Sequence, residues 1–242
     1  MLNVVKNTKI SVLDLVAPHR CRGCGELGEV LCECCKNYNI SNKVNICPKC
    51  GEIINYRCSK CVLPYLMTFC FGYRDEILGQ MAEEFKFYGV RAIGKAIGEL
   101  VDRMMPEIEG DIRIVPLPTI HRHIRERGVD HTYMVAKEVA RRRGWKVERV
   151  LLRKNETVQI GKNKKERLAQ AKEAYKRNPK VEIDSEATYI MLDDVWTTGA
   201  SMTEAGKLIR KAGAVNLAAI ILVKAGRPEE FKKIKPTEKI EF

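Results

Sequence analysis

Short runs of consecutive apolar residues alternate along this chain with segments in which apolar residues recur every three or four positions. The short runs are typical of strands buried on both faces, and they cover residues 68–73, 111–117, 188–192 and 217–223. The recurring pattern predicts amphipathic helices over residues 77–88, 92–105, 133–143 and 200–212. This alternation predicts an α/β fold with an open, mostly parallel sheet, which binds ligands beyond the carboxyl ends of its strands.

All ten cysteines lie between Cys21 and Cys70, and eight of them form a pattern that occurs twice. Each copy reads C-x2-C-x7-C-x2-C, and every cysteine of the second copy lies 26 positions after its counterpart. Four thiolates complete a tetrahedral zinc site of the structural kind. We predict two such sites, which the repeat places on Cys21, Cys24, Cys32 and Cys35 and on Cys47, Cys50, Cys58 and Cys61. A crossed pairing of the cysteines stays open.

The distribution of the cysteines also predicts the domain organisation and the compartment. We expect an N-terminal double zinc-ribbon module over residues 1–66 and an α/β domain over residues 67–242. The chain holds no cysteine after Cys70, which favours reduced, metal-binding thiols over disulfides. No apolar run reaches the roughly 18 residues that a membrane span needs. We therefore expect a cytoplasmic protein, with a short docking helix near the N-terminus instead of a signal peptide.

The net charge of +12 is concentrated in one segment. Residues 141–180 hold 15 lysines and arginines against 4 acidic residues. A basic block of this kind indicates an anionic partner, either the phosphates of a small ligand or a nucleic acid. The alternative is an ordinary solvated helix face, and both interpretations stay open.

The most informative chemistry lies where the predicted strand at residues 188–192 leads into the next helix. Two carboxylates, Asp193 and Asp194, come first, and a short loop with hydroxyl groups and a glycine follows. The loop residues are Thr197, Thr198, Gly199, Ala200 and Ser201. Amides of a loop and a helix N-terminus bind phosphate, whereas carboxylates accept hydrogen bonds from a sugar diol. The pattern predicts a cradle for ribose 5-phosphate; the alternative is an N-cap cluster with two acids on the helix dipole.

Residues 189–201 resemble the signature of type I phosphoribosyltransferases. The resemblance implies a ligand, phosphoribosyl pyrophosphate (PRPP) with Mg²⁺, whose ribose hydroxyls bind Asp193 and Asp194 and whose 5-phosphate binds residues 197–201. In an active enzyme these two aspartates would be the catalytic residues, and catalysis would need positioning and charge neutralisation more than a strong base. Trp196 stands where a smaller aliphatic residue is usual, so the access of an acceptor stays open.

Nearly the whole chain is similar to the ComF family of competence proteins, which is associated with DNA uptake in natural transformation. The similar segments are the cysteine-rich head, Phe-Gly-Tyr at residues 71–73, Lys-Phe-Tyr-Gly at 86–89, Val-Pro-Leu-Pro at 115–118, Arg-Glu-Arg-Gly at 125–128 and residues 159–167. Residues 129–131 read Val-Asp-His where Phe-Asn-Gln is usual, and Gln170 stands where Asn is usual. The resemblance implies a PRPP-binding protein that acts with DNA-uptake proteins.

Further residues are expected on the pyrophosphate side of the site. The candidates are Pro118, Arg122 and Arg125, together with Lys154 and Lys162 in a loop at residues 153–165 that could close over the ligand. Three functions stay open at this point. The chain is a ligand-binding competence factor, an active phosphoribosyltransferase that acts on a base or amine, or an adaptor for single-stranded DNA with a vestigial pocket.

Overall fold

Five parallel strands form the central sheet of the computed structural model, which describes residues 18–154 and 173–227. In spatial order they are β3 (Met67–Cys70), β9 (Asn216–Lys224), β8 (Thr188–Trp196), β4 (Ile112–Pro116) and β5 (Lys146–Val147). Two antiparallel pairs lie outside this sheet: β1 (His19–Arg20) with β2 (Leu27–Gly28), and β6 (Leu151–Arg153) with β7 (Tyr175–Arg177). The predicted N-terminal helix and Lys162 lie outside the described residues.

The three central strands confirm the prediction of buried parallel strands. Ile190 of β8 pairs with Ile114 of β4 on one side and with Ala218 of β9 on the other. Strand β8 is longer than predicted, because its pairing with β9 continues as far as Trp196 and Lys224. The two aspartates therefore lie within the last part of the strand, where its backbone is held, and not in the loop after it.

Six helices are found among the described residues: α1 (Glu33–Ser41), α2 (Ile77–Tyr88), α3 (Arg91–Met104), α4 (His121–Arg127), α5 (His131–Arg143) and α6 (Ala200–Lys211). The four predicted helices correspond to α2, α3, α5 and α6. The sequence did not predict α1 or α4, since α4 has only seven residues and buries none of them. Asp130 caps the start of α5, where its side chain accepts the amide of Tyr133.

Each face of the sheet carries its own hydrophobic cluster. Side chains alternate along β8, so Ile190 and Leu192 belong to one cluster, and Tyr189 and Met191 belong to the other. Helices α2, α3 and α5 cover the first face, whereas α6 and the β6–β7 pair cover the second. The burial of both faces explains why the strands read as continuous apolar runs.

The cysteine-rich segment packs directly against the α/β part. Arg22 donates two hydrogen bonds to Glu84 of α2, at 2.6 Å and 2.5 Å. Lys224 of β9 donates to the carbonyl of Pro48 at 3.0 Å. The division of the chain at residues 66 and 67 stays a prediction. In the described ranges, no helix has both the length and the apolar character to cross a bilayer.

Candidate functional site

The eight cysteines of the repeat form two separate clusters, and the pairing is sequential. In each cluster the four sulfur atoms lie within 4.8 Å of one another. The Sγ–Sγ distances are 3.6 Å for Cys21 and Cys32 and 3.7 Å for Cys50 and Cys58. Four sulfurs at about 2.3 Å from one zinc ion lie about 3.8 Å apart, so this geometry suits tetrahedral zinc. The clusters consist of Cys21, Cys24, Cys32 and Cys35 and of Cys47, Cys50, Cys58 and Cys61.

The two clusters repeat the same backbone turn. The backbone amide of Cys21 donates to the backbone carbonyl of Glu26 at 2.8 Å, and the backbone amide of Cys47 donates to the backbone carbonyl of Glu52 at 2.7 Å. Gly25 and Gly51 adopt positive φ angles of 81° and 89°, which a residue with a side chain adopts only under strain. The sequence repeat is therefore a structural repeat, in which glycine lets the backbone reverse after the second cysteine.

The two aspartates of β8 point to opposite faces of the sheet. Asp194 lies on the side of α2 and α5, where its Oδ2 is 2.6 Å from Lys86 Nζ and 3.3 Å from His131 Nε2. Asp193 lies near the buried phenols of Tyr65 and Tyr175 on the other side. The two adjacent carboxylates thus have different partners, and we expect them to have different roles in the site.

Their surroundings also shift the two carboxyl pKa values in opposite directions. Burial, and then the negative charge of Asp194, raise the pKa of Asp193 well above its ordinary value. Burial also opposes the ionisation of Asp194, but the hydrogen bond from His131 and the charge of Lys86 outweigh it. The pKa of Asp194 is therefore lowered, and this carboxyl is firmly ionised.

The loop after β8 is tightly built around one glycine. Gly199 has a φ of 72°, and a Cβ atom on it would lie 1.9 Å from Cζ2 of Trp196. Trp196 is buried in the second hydrophobic cluster beneath the loop, so its bulk does not fill the open edge of the sheet. Thr197 and Thr198 are exposed above it. The amide of Ala200, the first of α6, donates to Thr198 Oγ1 at 3.4 Å. The next amides at the start of a helix have no acceptor in a preceding turn, and such amides can bind an anion.

Sequence reasoning missed several residues that surround this loop. The phenol of Tyr175 lies close to the side chain of Ser201, and Arg153 donates to the same phenol at 3.1 Å. Arg153 lies in β6 and not in the predicted loop. Lys86 and His131 are the partners of Asp194, and both stand in segments that the resemblance to the ComF family involves. For His131 the sequence held one further signal, because this histidine stands where a glutamine is usual in that family.

The residues that were predicted to bind the pyrophosphate differ in their exposure and in their contacts. Pro118 follows β4, next to the point where Leu117 donates its amide to Leu192 at 2.9 Å. Arg122 is 66 % exposed and pairs with Glu126 at 3.0 Å on the same helix. Arg125 and Lys154 are exposed. Their contact with a ligand stays a prediction.

The described beginning of the basic block is largely ion-paired. Arg141 and Arg142 contact Glu138 at 2.6 Å and 2.8 Å, and Arg143 contacts Asp102 at 2.7 Å. Arg143 also donates to backbone carbonyls and is only 7 % exposed. These three arginines are therefore paired with acidic side chains of the chain itself, and only Arg143 is also buried, so they offer less charge to an anionic partner than the sequence indicated.

Comparison with known proteins finds no match for the chain. No protein-family model matches the chain. No curated protein matches it either. The function is therefore inferred from the residues of the site itself.

Proposed function

We propose that this chain binds phosphoribosyl pyrophosphate, with Mg²⁺, at the carboxyl end of β8. The observation that carries the proposal is that Asp193, in the last part of β8, precedes a glycine-dependent loop and the N-terminus of α6. A carboxylate that accepts hydrogen bonds from a diol and amides that receive a phosphate match the two ends of ribose 5-phosphate.

In this proposal the two aspartates have separate roles. Asp193 accepts hydrogen bonds from the ribose hydroxyls, because no lysine or arginine among the described residues forms an ion pair with it. Asp194 holds Lys86 and His131 in place. Residues 197–201 hold the 5-phosphate through amides and hydroxyls. Mg²⁺ would be held mainly by pyrophosphate oxygens and water, as is usual for this ion.

Isothermal titration calorimetry with PRPP tests the proposal. We expect Mg²⁺-dependent binding by the wild type and a loss of at least about tenfold in Asp193→Asn, because a neutral amide is a weaker acceptor for the diol. Asp111→Asn is the matched control, since Asp111 precedes β4 at the opposite end of the sheet. Equal binding by the wild type and Asp193→Asn would refute the site.

Transfer of the ribose 5-phosphate would use the same site. In this proposal the carboxyl of Asp193 would, in its ionised form, stabilise the positive charge that grows on the ribose ring as pyrophosphate leaves. Release of pyrophosphate that depends on an added nucleobase or amine tests for turnover. Binding without release across a broad panel of acceptors would leave a ligand-binding competence factor, the role that the resemblance to the ComF family implies.

A second candidate function is the binding of single-stranded DNA. A groove beside the second cysteine cluster is lined by aromatic and basic side chains, among them Tyr56, Arg57 and Lys60. Stacking on aromatic rings and phosphate contacts are the usual means of single-strand binding. We expect Arg57→Gln to flatten the slope of log affinity against log salt by about 0.7, whereas the exposed control Lys207→Gln leaves it unchanged. A flat salt response in the wild type would exclude this mode.

A further inference from the structure

The two cysteine clusters pack against opposite faces of the central sheet. Cys21 and Cys35 of the first cysteine cluster belong to the hydrophobic cluster under α2 and α3. Ile46, which precedes the second cysteine cluster, belongs to the hydrophobic cluster on the opposite face, together with Tyr73 and Trp196. The second cysteine cluster therefore shares a core with the tryptophan that lies beneath the proposed phosphate loop.

Two side chains of the α/β part hold the turn at residues 47–51, which carries the first two ligands of the second cysteine cluster. The hydroxyl of Tyr73 is buried and donates to the carbonyl of Gly51 at 3.2 Å. The ammonium group of Lys224, at the end of β9, donates to the carbonyl of Pro48 at 3.0 Å. Metal binding folds such a turn, so the ion also fixes the acceptors of both side chains.

The backbone of Lys224 connects this turn to the strand that carries the two aspartates. Lys224 lies opposite Trp196 in the pairing of β9 with β8, and the amide of Ala225 donates to the carbonyl of Trp196 at 2.9 Å. Tyr73 in turn forms a parallel bridge with Lys224. The carboxyl end of β8 is thus held from the side of the second cysteine cluster.

The indole of Trp196 continues this connection into the phosphate loop. The ring and the loop backbone are in direct contact, because a Cβ atom on Gly199 would lie 1.9 Å from Cζ2 of the indole. Protein interiors are close-packed, so they pass a displacement on to neighbouring groups. A shift of Trp196 would therefore change the loop whose amides are proposed to bind the 5-phosphate.

We propose that Tyr73 and Lys224 are positioning residues, through which zinc in the second cysteine cluster holds residues 197–201 in the conformation that binds the 5-phosphate. This inference rests on the proposed function, because it assigns the control of that same loop. Coupling between two binding sites is reciprocal, so a ligand in the loop would tighten zinc binding at the second cysteine cluster by the same factor.

The fluorescence of Trp196 tests the connection without any ligand. The chain holds two tryptophans, so Trp145→Phe leaves Trp196 as the single emitter. In this background we expect Cys50→Ser, which removes a ligand of the second cysteine cluster, to shift the emission to longer wavelength, because the loosened indole contacts more water. Cys24→Ser, the matched change in the first cysteine cluster, should leave the emission unchanged.

Competition with a zinc-selective chelator tests the reciprocal effect, with ribose 5-phosphate and Mg²⁺ as the ligand. We expect the ligand to tighten one of the two zinc ions by about fivefold or more, and this ion should be the one that Cys50→Ser lacks. Lys224→Met should retain both ions but reduce the factor to about twofold or less, and Lys224→Arg should recover part of it. Tyr73→Phe should also reduce it.

Lys43→Met is the matched control. Lys43 also donates to a backbone carbonyl at 3.0 Å, that of Met104, which belongs to the hydrophobic cluster on the other face. This variant should keep the full effect of the ligand on zinc. A lysine that served only the stability of the fold would lower the melting temperature without changing this factor, so the comparison of Lys224→Met with Lys43→Met decides the matter even if Cys50→Ser does not fold.

Failure of this inference and failure of the proposed function give different results. Ribose 5-phosphate that binds but tightens neither ion, or both ions equally, would overturn the positioning role. Unchanged emission of Trp196 in a folded Cys50→Ser variant with one bound ion would overturn it as well. Absence of ribose 5-phosphate binding would overturn the proposed function, whereas a shifted emission in Cys50→Ser alone would still support the connection between the second cysteine cluster and the loop.

Discussion

Lys86 Nζ lies 2.6 Å from Asp194 Oδ2, although 108 residues separate the two in sequence. The same oxygen is 3.3 Å from His131 Nε2. Asp194 is thus held by two partners, whereas its neighbour Asp193 lies on the other face and has no ion pair with a lysine or arginine in the described part of the chain. An acidic pair that reads as one unit in the sequence is two different groups in the fold.

The opposite pKa shifts predict opposite effects of two matched substitutions on stability. Asp194 has a lowered pKa, so its charge stabilises the folded state at any pH above the unfolded-state pKa of about 3.9. This contribution is lost as the pH falls from about 3.9 towards the lowered pKa of the folded state. Asp194→Asn should therefore lower the free energy of unfolding at neutral pH, by about 2 kcal/mol. Asp193 has a raised pKa, so its ionisation opposes folding above about 3.9. Asp193→Asn should raise the melting temperature of the ligand-free protein.

Melting temperatures measured between about pH 5 and about pH 7.5 check these signs. The advantage of Asp193→Asn should grow as the pH rises from about 3.9 towards the raised pKa of Asp193 and should level off above that pKa. Two substitutions that shift the melting temperature in the same direction would show that the carboxylates do not differ as described.

The contact between Trp196 and Gly199 predicts a strong local effect of a single methyl group. Gly199→Ala should destabilise the protein by about 2–4 kcal/mol, because it combines a positive φ with a clash against the indole ring. Gly144→Ala is the control, since Gly144 has a φ of 69° and open space around it, and it should cost only about 1 kcal/mol.

Urea denaturation of both variants, and of each in a Trp196→Val background, separates clash from strain. With the indole removed, the extra cost at Gly199 should fall to the level seen at Gly144. If the cost persists without the indole, the tryptophan is not what restricts the loop.

The sequential cysteine clusters predict a defined metal content. Elemental analysis should find two zinc ions per chain in the wild type and one in Cys50→Ser, because that change removes one ligand of the second cluster only. Cys34→Ser is the control, since this cysteine is exposed and belongs to neither cluster, and it should keep two ions. Loss of both ions in Cys50→Ser would mean that the clusters depend on each other.

The side chain of Tyr65 connects the segment after the second cysteine cluster with α6, the helix that follows the predicted phosphate loop. Its hydroxyl donates to the carbonyl of Met202 in α6 at 2.6 Å and is buried. Tyr65→Phe should reduce the free energy of unfolding by about 1 kcal/mol, whereas Tyr88→Phe, at an exposed ring, should have no measurable effect. Equal unfolding curves for wild type and Tyr65→Phe would show that this bond contributes nothing net.

Much of this architecture was predictable because its determinants are local. The apolar runs of β4, β8 and β9 marked strands buried on both faces, and the spacing of the cysteines marked two metal clusters. The strand, acidic pair, loop and helix follow one another within residues 188–211, so their chemistry could be recognised from consecutive residues.

Only the tertiary structure decided which partners, and therefore which environment, each residue of the site has. Pairing with β9 extends β8 past its apolar run, and this extension sends Asp193 and Asp194 to opposite faces. The partners Lys86, His131 and Tyr175 come from distant elements that packing brings to the same edge. A local pattern records which groups are present, but the choice of partner depends on contacts between segments far apart in the chain, and these form only when the sheet and helices assemble.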